Sequence, residues 1–125
     1  MHEMSIAMAV VDQVAEAAQA GAARSVSRVE LEIGELAGVV PDALAFSFQL
    51  ACTATPLEGA ELVTHPVTAR ARCASCTGEW AVGMPPELRC PDCGKADAVE
   101  LLAGRELRIR RVVWQDAREP IPEEA

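Results

Sequence analysis

Tyrosine is absent from this chain, and its other aromatic residues are two Phe and two Trp: Phe46, Phe48, Trp80 and Trp114. A core must therefore come from Val, Leu, Ile and Ala. No run approaches the ~20 apolar residues that a membrane-spanning helix needs. Basic residues are scarce, with 11 Lys and Arg against 19 Asp and Glu, for a net charge of −8. That deficit argues against a nucleic-acid binder, which neutralises phosphates with cations. It argues equally against a polybasic membrane contact. The N-terminus lacks a basic region ahead of a greasy core and carries Glu3, so no signal peptide is expected and the chain reads as cytoplasmic. There is no nucleophile–base pair and no phosphate loop, so an enzyme is not expected.

The chain has 125 residues, half of them apolar. That length suits one domain with a small appendage and allows a real core. Residues 4–20 read as a helix, with Ile6, Val10, Val14 and Ala17 on one stripe and Asp12, Glu16 and Gln19 opposite; Gly21 is the stop. The period then changes to two. In SVSRVELEIG, Val29, Leu31 and Ile33 alternate with Arg28, Glu30 and Glu32, which predicts a strand with one buried face. Pro41 opens a second helix over 41–53, with Leu44, Phe48 and Ala51 inward. AELVTHPV reads as a second strand with Pro66 at an edge or end, and RELRIRRVVW as a third. His65 reads as an ordinary edge-strand residue, Asp42 as a helix-start acid and Cys52 as a small buried hydrophobe. The fold class is α+β: two helices packed on a small, about three-stranded sheet, with an inserted four-cysteine zinc-ribbon subdomain. The last residues, QDAREPIPEEA, read as an acidic flexible tail.

The insert reads CASCTGEWAVGMPPELRCPDCG. Cys73 and Cys76 form one CxxC, and Cys90 and Cys93 form another. In a reducing compartment such pairs are metal ligands rather than disulfides. A two-residue spacer lets both thiolates of a tight turn face one ion, and two such turns match a four-cysteine zinc site. Gly78 and Gly94 suit the positive φ of the turns. Glu79–Val82 reads as a short strand, turned back at Met84-Pro85-Pro86. Rubredoxin-like iron is disfavoured by thin aromatic packing, and a redox dithiol by the lack of a βαβ setting. A closed site of four thiolates stabilises rather than catalyses. Arg70, Arg72 and Arg89 near the turns read as a solvated face or an acidic-partner contact. A zinc-ribbon interaction module therefore stands as one reading of the whole chain.

A second reading starts at residue 2. One of only two histidines follows the initiator methionine, in MHEMSI. A large second residue disfavours removal of Met1. The Met1 amine, the His2 backbone nitrogen and the His2 imidazole can then close fused chelate rings on one ion, with Glu3 supplying the rest. Nitrogen-rich, tetragonal ligation suits Ni(II) or Cu(II).

The chain resembles the HypA/HybF family of nickel-insertion accessory proteins in [NiFe]-hydrogenase maturation. The likeness rests on MHE ahead of a helix, VELEIGELAGV, PDALAFSFQLA, the Cys73–Cys93 insert and LRIRRV. It implies a nickel metallochaperone, with transferable Ni(II) on Met1, His2 and Glu3 and structural Zn(II) on Cys73, Cys76, Cys90 and Cys93. It implies a nickel-binding α/β domain at 1–68 plus 102–115, a zinc-ribbon domain at 69–101 and a tail at 116–125. Implied partners are a nickel-handling GTPase of the same pathway, the hydrogenase large-subunit precursor and a second copy of the chain. Some members place a further acid in the loop before helix two. That position is Val40 here, and Asp42, two residues on, is not assigned to the ligand set.

Overall fold

The structure is a computed structural model, and it describes residues 2–116. Met1 and the tail beyond Asp116 lie outside the described residues. The elements are α1 (His2–Ala20), β1 (Ala23–Gly34), α2 (Pro41–Cys52), β2 (Glu61–Val67), β3 (Arg70–Cys73), β4 (Glu79–Ala81), β5 (Val99–Ala103) and β6 (Leu107–Asp116). They form two three-stranded sheets, in the orders β2-β1-β6 and β4-β3-β5. The expected helix–strand–helix–strand–insert–strand order holds, and the insert carries a sheet of its own. No described helix is long and apolar enough to cross a membrane. The chain divides into two compact units: Glu32–Gly38 with Thr64–Arg108 form one, and the remaining segments form the other.

The unit of the remaining segments contains both helices. α1 is rich in Ala and other strong helix formers, and Glu3 in its first turn complements the helix dipole. Its buried residues are Ala7, Val10, Val11, Val14 and Ala18. The expected stripe is rotated by part of a turn: Ile6 is half-buried and Ala17 is exposed. The helix ends where the Gly21 N–H meets the Ala17 carbonyl at 3.0 Å. The left-handed residue there is Ala22, at φ 58°, not the glycine. α2 packs against α1 and buries Leu44, Ser47, Phe48 and Cys52. Cys52 takes the inner place expected for Ala51, because it follows Leu44 and Phe48 at four-residue steps. Full burial of Leu44 and Phe48 stabilises by about 1.5–3 kcal/mol each.

β1 buries Val26, Val29 and Leu31 as alternation predicts, but Glu30 is buried too, at 7% exposure. The Glu30 carboxylate lies 3.4 Å from the Arg28 guanidinium and 4.0 Å from that of Arg111. Two cations make that burial tolerable for a carboxylate.

In the other unit, β3 pairs antiparallel with β4 and β5, with Ala71 opposite Trp80 and Leu101. Ala69, Ala71, Cys73, Trp80, Val82 and Cys90 form its core, with Leu36, Val99 and Leu101 packed against them. The Trp80 indole N–H donates to the Glu87 carbonyl at 2.7 Å, so the one large side chain of this core has its polar atom satisfied. Gly34 lies against the Gly104 backbone, where a Cβ would collide with the carbonyl. The bonds Gly34 N–H to Glu106 O and Leu36 N–H to Gly104 O, both 2.7 Å, hold that close approach.

Candidate metal centre

The two CxxC turns are built alike. In the first, the Thr77 N–H donates to the Cys73 carbonyl at 2.7 Å and the Cys73 N–H to the Gly78 carbonyl at 2.8 Å. In the second, Gly94 N–H reaches Cys90 O at 2.8 Å and Cys90 N–H reaches Lys95 O at 2.9 Å. Each turn needs a left-handed residue one place after its second cysteine. Gly94 fills it at φ 77°, and Thr77 fills it at φ 63°. Gly78 serves differently from expectation. A Cβ there would stand 2.5 Å from the Asp92 carboxylate, so its bareness admits Asp92 from the opposite turn.

The turns bring four sulfurs together. Cys73 and Cys93 Sγ are 3.6 Å apart, Cys76 and Cys90 Sγ are 3.5 Å apart, and all four lie within 4.8 Å of one another. None is in a disulfide. Ligands ~2.3 Å from a tetrahedral zinc stand about 3.8 Å apart, so the observed spacing fits such an ion. Among the described residues this is the one group of His, Cys, Asp or Glu donors so arranged.

Electrostatics favour a cation in its centre. The Cys76 N–H, and after it the Ser75 N–H, pull the Cys73 thiol down to about 7. At Cys76 the Gly78 N–H pulls down, but the neighbouring Cys90 thiol and burial outweigh it and push the group up to about 12. Cys93 is drawn down by the Lys95 N–H, yet burial and the Cys73 and Cys90 sulfurs raise it on balance. Four adjacent thiols cannot all ionise against one another, whereas a divalent ion lets all four do so. Cys73 and Cys90 are buried and all four cysteines are occupied by this cluster, which leaves no open position for a substrate.

Cys52 stands apart. Burial pushes its thiol up to about 11, which fits the small buried hydrophobe expected of it.

The arginines near the turns are engaged within the fold. Arg70 pairs with Glu79 at 3.8 Å and Arg72 with Glu100 at 2.5 Å, while Arg89 donates to the Gly94 carbonyl. They form no bare cationic surface, which takes away the feature a nucleic-acid reading would need.

At the N-terminus, His2 opens α1 with its side chain exposed, and Glu3 follows half-buried. The described terminus is thus helical rather than loose. Glu3 Oε2 accepts a hydrogen bond from the Val40 N–H at 3.1 Å. That bond, and then the Glu3 N–H, hold its carboxyl below the usual carboxylate range. Val40 is the N-cap of α2 and offers no side-chain cap, so Glu3 supplies an acceptor from another helix. Sequence periodicity carries no trace of this contact, because it joins positions 37 residues apart. The first-turn N–H groups of α1, that of His2 among them, have no partner within the helix. Asp42 lies in the first turn of α2, the place expected of it.

The family model for hydrogenase/urease nickel incorporation, the HypA metallochaperones, matches residues 1–114. A hydrogenase maturation factor HypA from Streptomyces avermitilis is 60% identical over 131 aligned positions, covering 99% of each chain. One from Desulfosudis oleivorans is 44% identical, covering 87% of this chain and 94% of the relative. Among solved structures, the Ni metallochaperone HypA from Helicobacter pylori aligns with a TM-score of 0.65 at 17% identity, covering 91% of this chain and 97% of that one. A second HypA solution structure aligns with a TM-score of 0.68 at 21% identity. Both share the fold of two helices with small sheets. This chain belongs to the HypA family of hydrogenase and urease nickel-incorporation metallochaperones, which are maturation factors and not enzymes.

Proposed function

We propose that this chain carries Ni(II) on the Met1 amine, His2 and Glu3 and delivers it for [NiFe]-hydrogenase maturation. In this reading zinc is structural and is held by Cys73, Cys76, Cys90 and Cys93. The observation that carries the proposal is the separation of duties among the donors. The four cysteines close on one another, while His2 stays exposed at a helix start beside a carboxylate already fixed by Val40.

The chemistry suits a carrier. A helix N-terminus disfavours a cation by about 0.3–1 kcal/mol. Chelation by an amine, a backbone nitrogen and an imidazole outweighs that term but leaves a grip that protons and a competing site can loosen. The zinc module would contribute roughly 10–16 kcal/mol of binding energy to its own folding, so it holds the ribbon rather than exchanging metal. The nickel domain comprises 1–68 and 102–115, the zinc ribbon 69–101. The partners are a nickel-handling GTPase and the hydrogenase large-subunit precursor, met in the cytoplasm.

The test is metal content and nickel titration on tag-free protein, beside His2→Ala and a form extended by a few residues before Met1. One tight zinc in all three, with nickel bound by the native chain alone, is the expected result. Equal nickel binding in all three would sink the proposal.

A further inference from the structure

The outer face of the two helices is unusual in charge and in polarity. Residues 1–23 and 29–69 contain no Lys or Arg. Both helices fall within those spans, and their acids Asp12, Glu16 and Asp42 are exposed. Large apolar side chains stand among them: Met8 is 53% exposed, Phe46 64% and Leu50 52%. Phe46 and Leu50 are one turn apart on α2 and share a face. A groove of about 300 Å³ runs between the helices, lined by Met4, Met8, Val11 and Asp12 of α1 and by Leu50 and Ala51 of α2. Met4 follows Glu3 directly, so the apolar surface begins beside the residues assigned to nickel.

Scattered apolar residues on a surface need no explanation, but a grooved set with acids around it does. A second copy of the chain is a poor occupant. It would bring the same acids to a face without a cation, and like charges across an interface cost several kcal/mol. An anionic membrane fails for the same reason. A complementary occupant carries apolar side chains for the groove and Lys or Arg for its rim. A helix with apolar residues at i, i+3, i+4 and i+7 has that form.

We propose that the shared outer face of α1 and α2 is the docking surface for the protein that exchanges nickel with this chain, and that this partner presents a cationic amphipathic helix. The inference rests on the carrier reading for the identity of the exchange and on the helix face for the chemistry. Seating an apolar partner beside Met4 would shield the neighbouring ligands from water at the moment of transfer. Met8, Phe46 and Leu50 then act as anchors, with Asp12 and Glu16 as steering charges.

The probe is a fluorescein-labelled amphipathic peptide of about eighteen residues built from leucine and lysine, long enough to fill a helix-sized groove. Its Kd for the zinc-loaded protein is read by anisotropy. Two peptides accompany it: one with glutamate for lysine, and one of the same composition scrambled to lose its apolar face. Protein variants are Phe46→Ser with Leu50→Ser, Asp12→Asn with Glu16→Gln, and Leu102→Ser as an exposed apolar control outside the helices. Circular dichroism checks that helicity is kept, and the charge pair disturbs no packing. The expected result is binding of the cationic amphipathic peptide alone, weakened roughly tenfold or more by the apolar pair. The charge pair should weaken it severalfold, with a shallower salt dependence, and Leu102→Ser should leave it unchanged. Equal binding by the scrambled peptide, or equal affinity across the variants, overturns the proposal. So does self-association of the native chain that the Phe46/Leu50 pair abolishes, since the occupant is then a second copy. Nickel titration of the same variants separates the two readings. Retained nickel with no peptide selectivity defeats the docking surface alone, and selective peptide binding without nickel defeats the carrier alone.

Discussion

The carboxylate of Glu3, in the first turn of α1, accepts a hydrogen bond from the backbone N–H of Val40, the N-cap of α2. One contact satisfies an orphan donor of one helix with an acid that complements the dipole of the other. It also fixes a residue assigned to nickel, leaving Glu3 Oε1 as the oxygen not committed to Val40.

The bond has a pH signature. The Val40 N–H lowers the Glu3 pKa. A carboxyl depressed in the folded state contributes stability above its unfolded value, near 4.3, and loses it as pH falls through the lower folded value. The Val40 amide resonance should therefore titrate with a midpoint below about 4.3 and should cease to titrate in Glu3→Gln. A midpoint at or above that value means that the bond is not formed.

Nickel affinity should fall with acid. Protons compete with the metal for amine and imidazole nitrogens, and such groups titrate near neutrality. Isothermal titration from about pH 7.5 to about pH 6 should show a steep loss, whereas zinc retention at the thiolates should hold over that range. A flat nickel profile rules out this ligand set.

The periodic and spaced features of the fold were legible in the chain. Alternation at Val29, Leu31 and Ile33 marks β1, and the two CxxC pairs at Cys73–Cys76 and Cys90–Cys93 mark the cluster, because both are local geometry. What was not legible depends on distant neighbours. Glu30 alternates like a solvent residue, yet Arg28 and Arg111 let it be buried. β3 and β5 have only four and five residues, too short for a period to stand out, and they exist as strands by pairing with each other. The α1 stripe shifted because Ala is nearly neutral to burial, so Ala7 and Ala18 could replace Ala17 without any signal in hydropathy. Thr77 was overlooked for Gly78 because composition favours glycine at positive φ, while the turn fixes the position and tolerates the residue.

The two turns therefore respond differently to substitution. A left-handed L-residue costs roughly 1–2 kcal/mol. Gly94→Ala should destabilise the zinc-loaded protein by about that amount. Thr77→Gly relieves the same strain but loses the Thr77 hydroxyl bond to the Cys76 carbonyl and stiffness in the unfolded chain, each worth about 0.5–1 kcal/mol. Its stability should match or slightly exceed the native value. Urea midpoints at fixed zinc decide this, and a Thr77→Gly variant weaker than Gly94→Ala contradicts the assignment.

Thiol chemistry should sort the five cysteines. With metal bound, iodoacetamide at neutral pH should leave all of them unmodified. Chelation should open the four-sulfur cluster, with Cys73 reacting first because its thiol is lowered to about 7. Cys52, pushed up to about 11 by burial, should stay unmodified until the protein unfolds. Mass spectrometry of the alkylated peptides reads the order. Early labelling of Cys52 shows that α2 is not packed as described.

The tightest backbone approach lies at Gly104. Its φ of 127° is a conformation that L side chains rarely adopt, and a Cβ there would stand 2.7 Å from the Ala69 Cβ and 2.8 Å from the Ala69 Cα. Gly104→Ala adds strain of about 1–3 kcal/mol from the backbone and a clash from Ala69, which is fully buried and cannot swing away. The loss should reach about 3 kcal/mol or more, near the upper end for one substitution. Ala69→Gly removes one side of the collision. The double variant should therefore recover about 1–2 kcal/mol relative to the sum of the single losses, the steric share, and leave the backbone share in place. Urea denaturation of the four proteins in this cycle measures the coupling. A coupling of zero means that the two residues do not touch, and the cost of Gly104→Ala is then wholly a matter of φ.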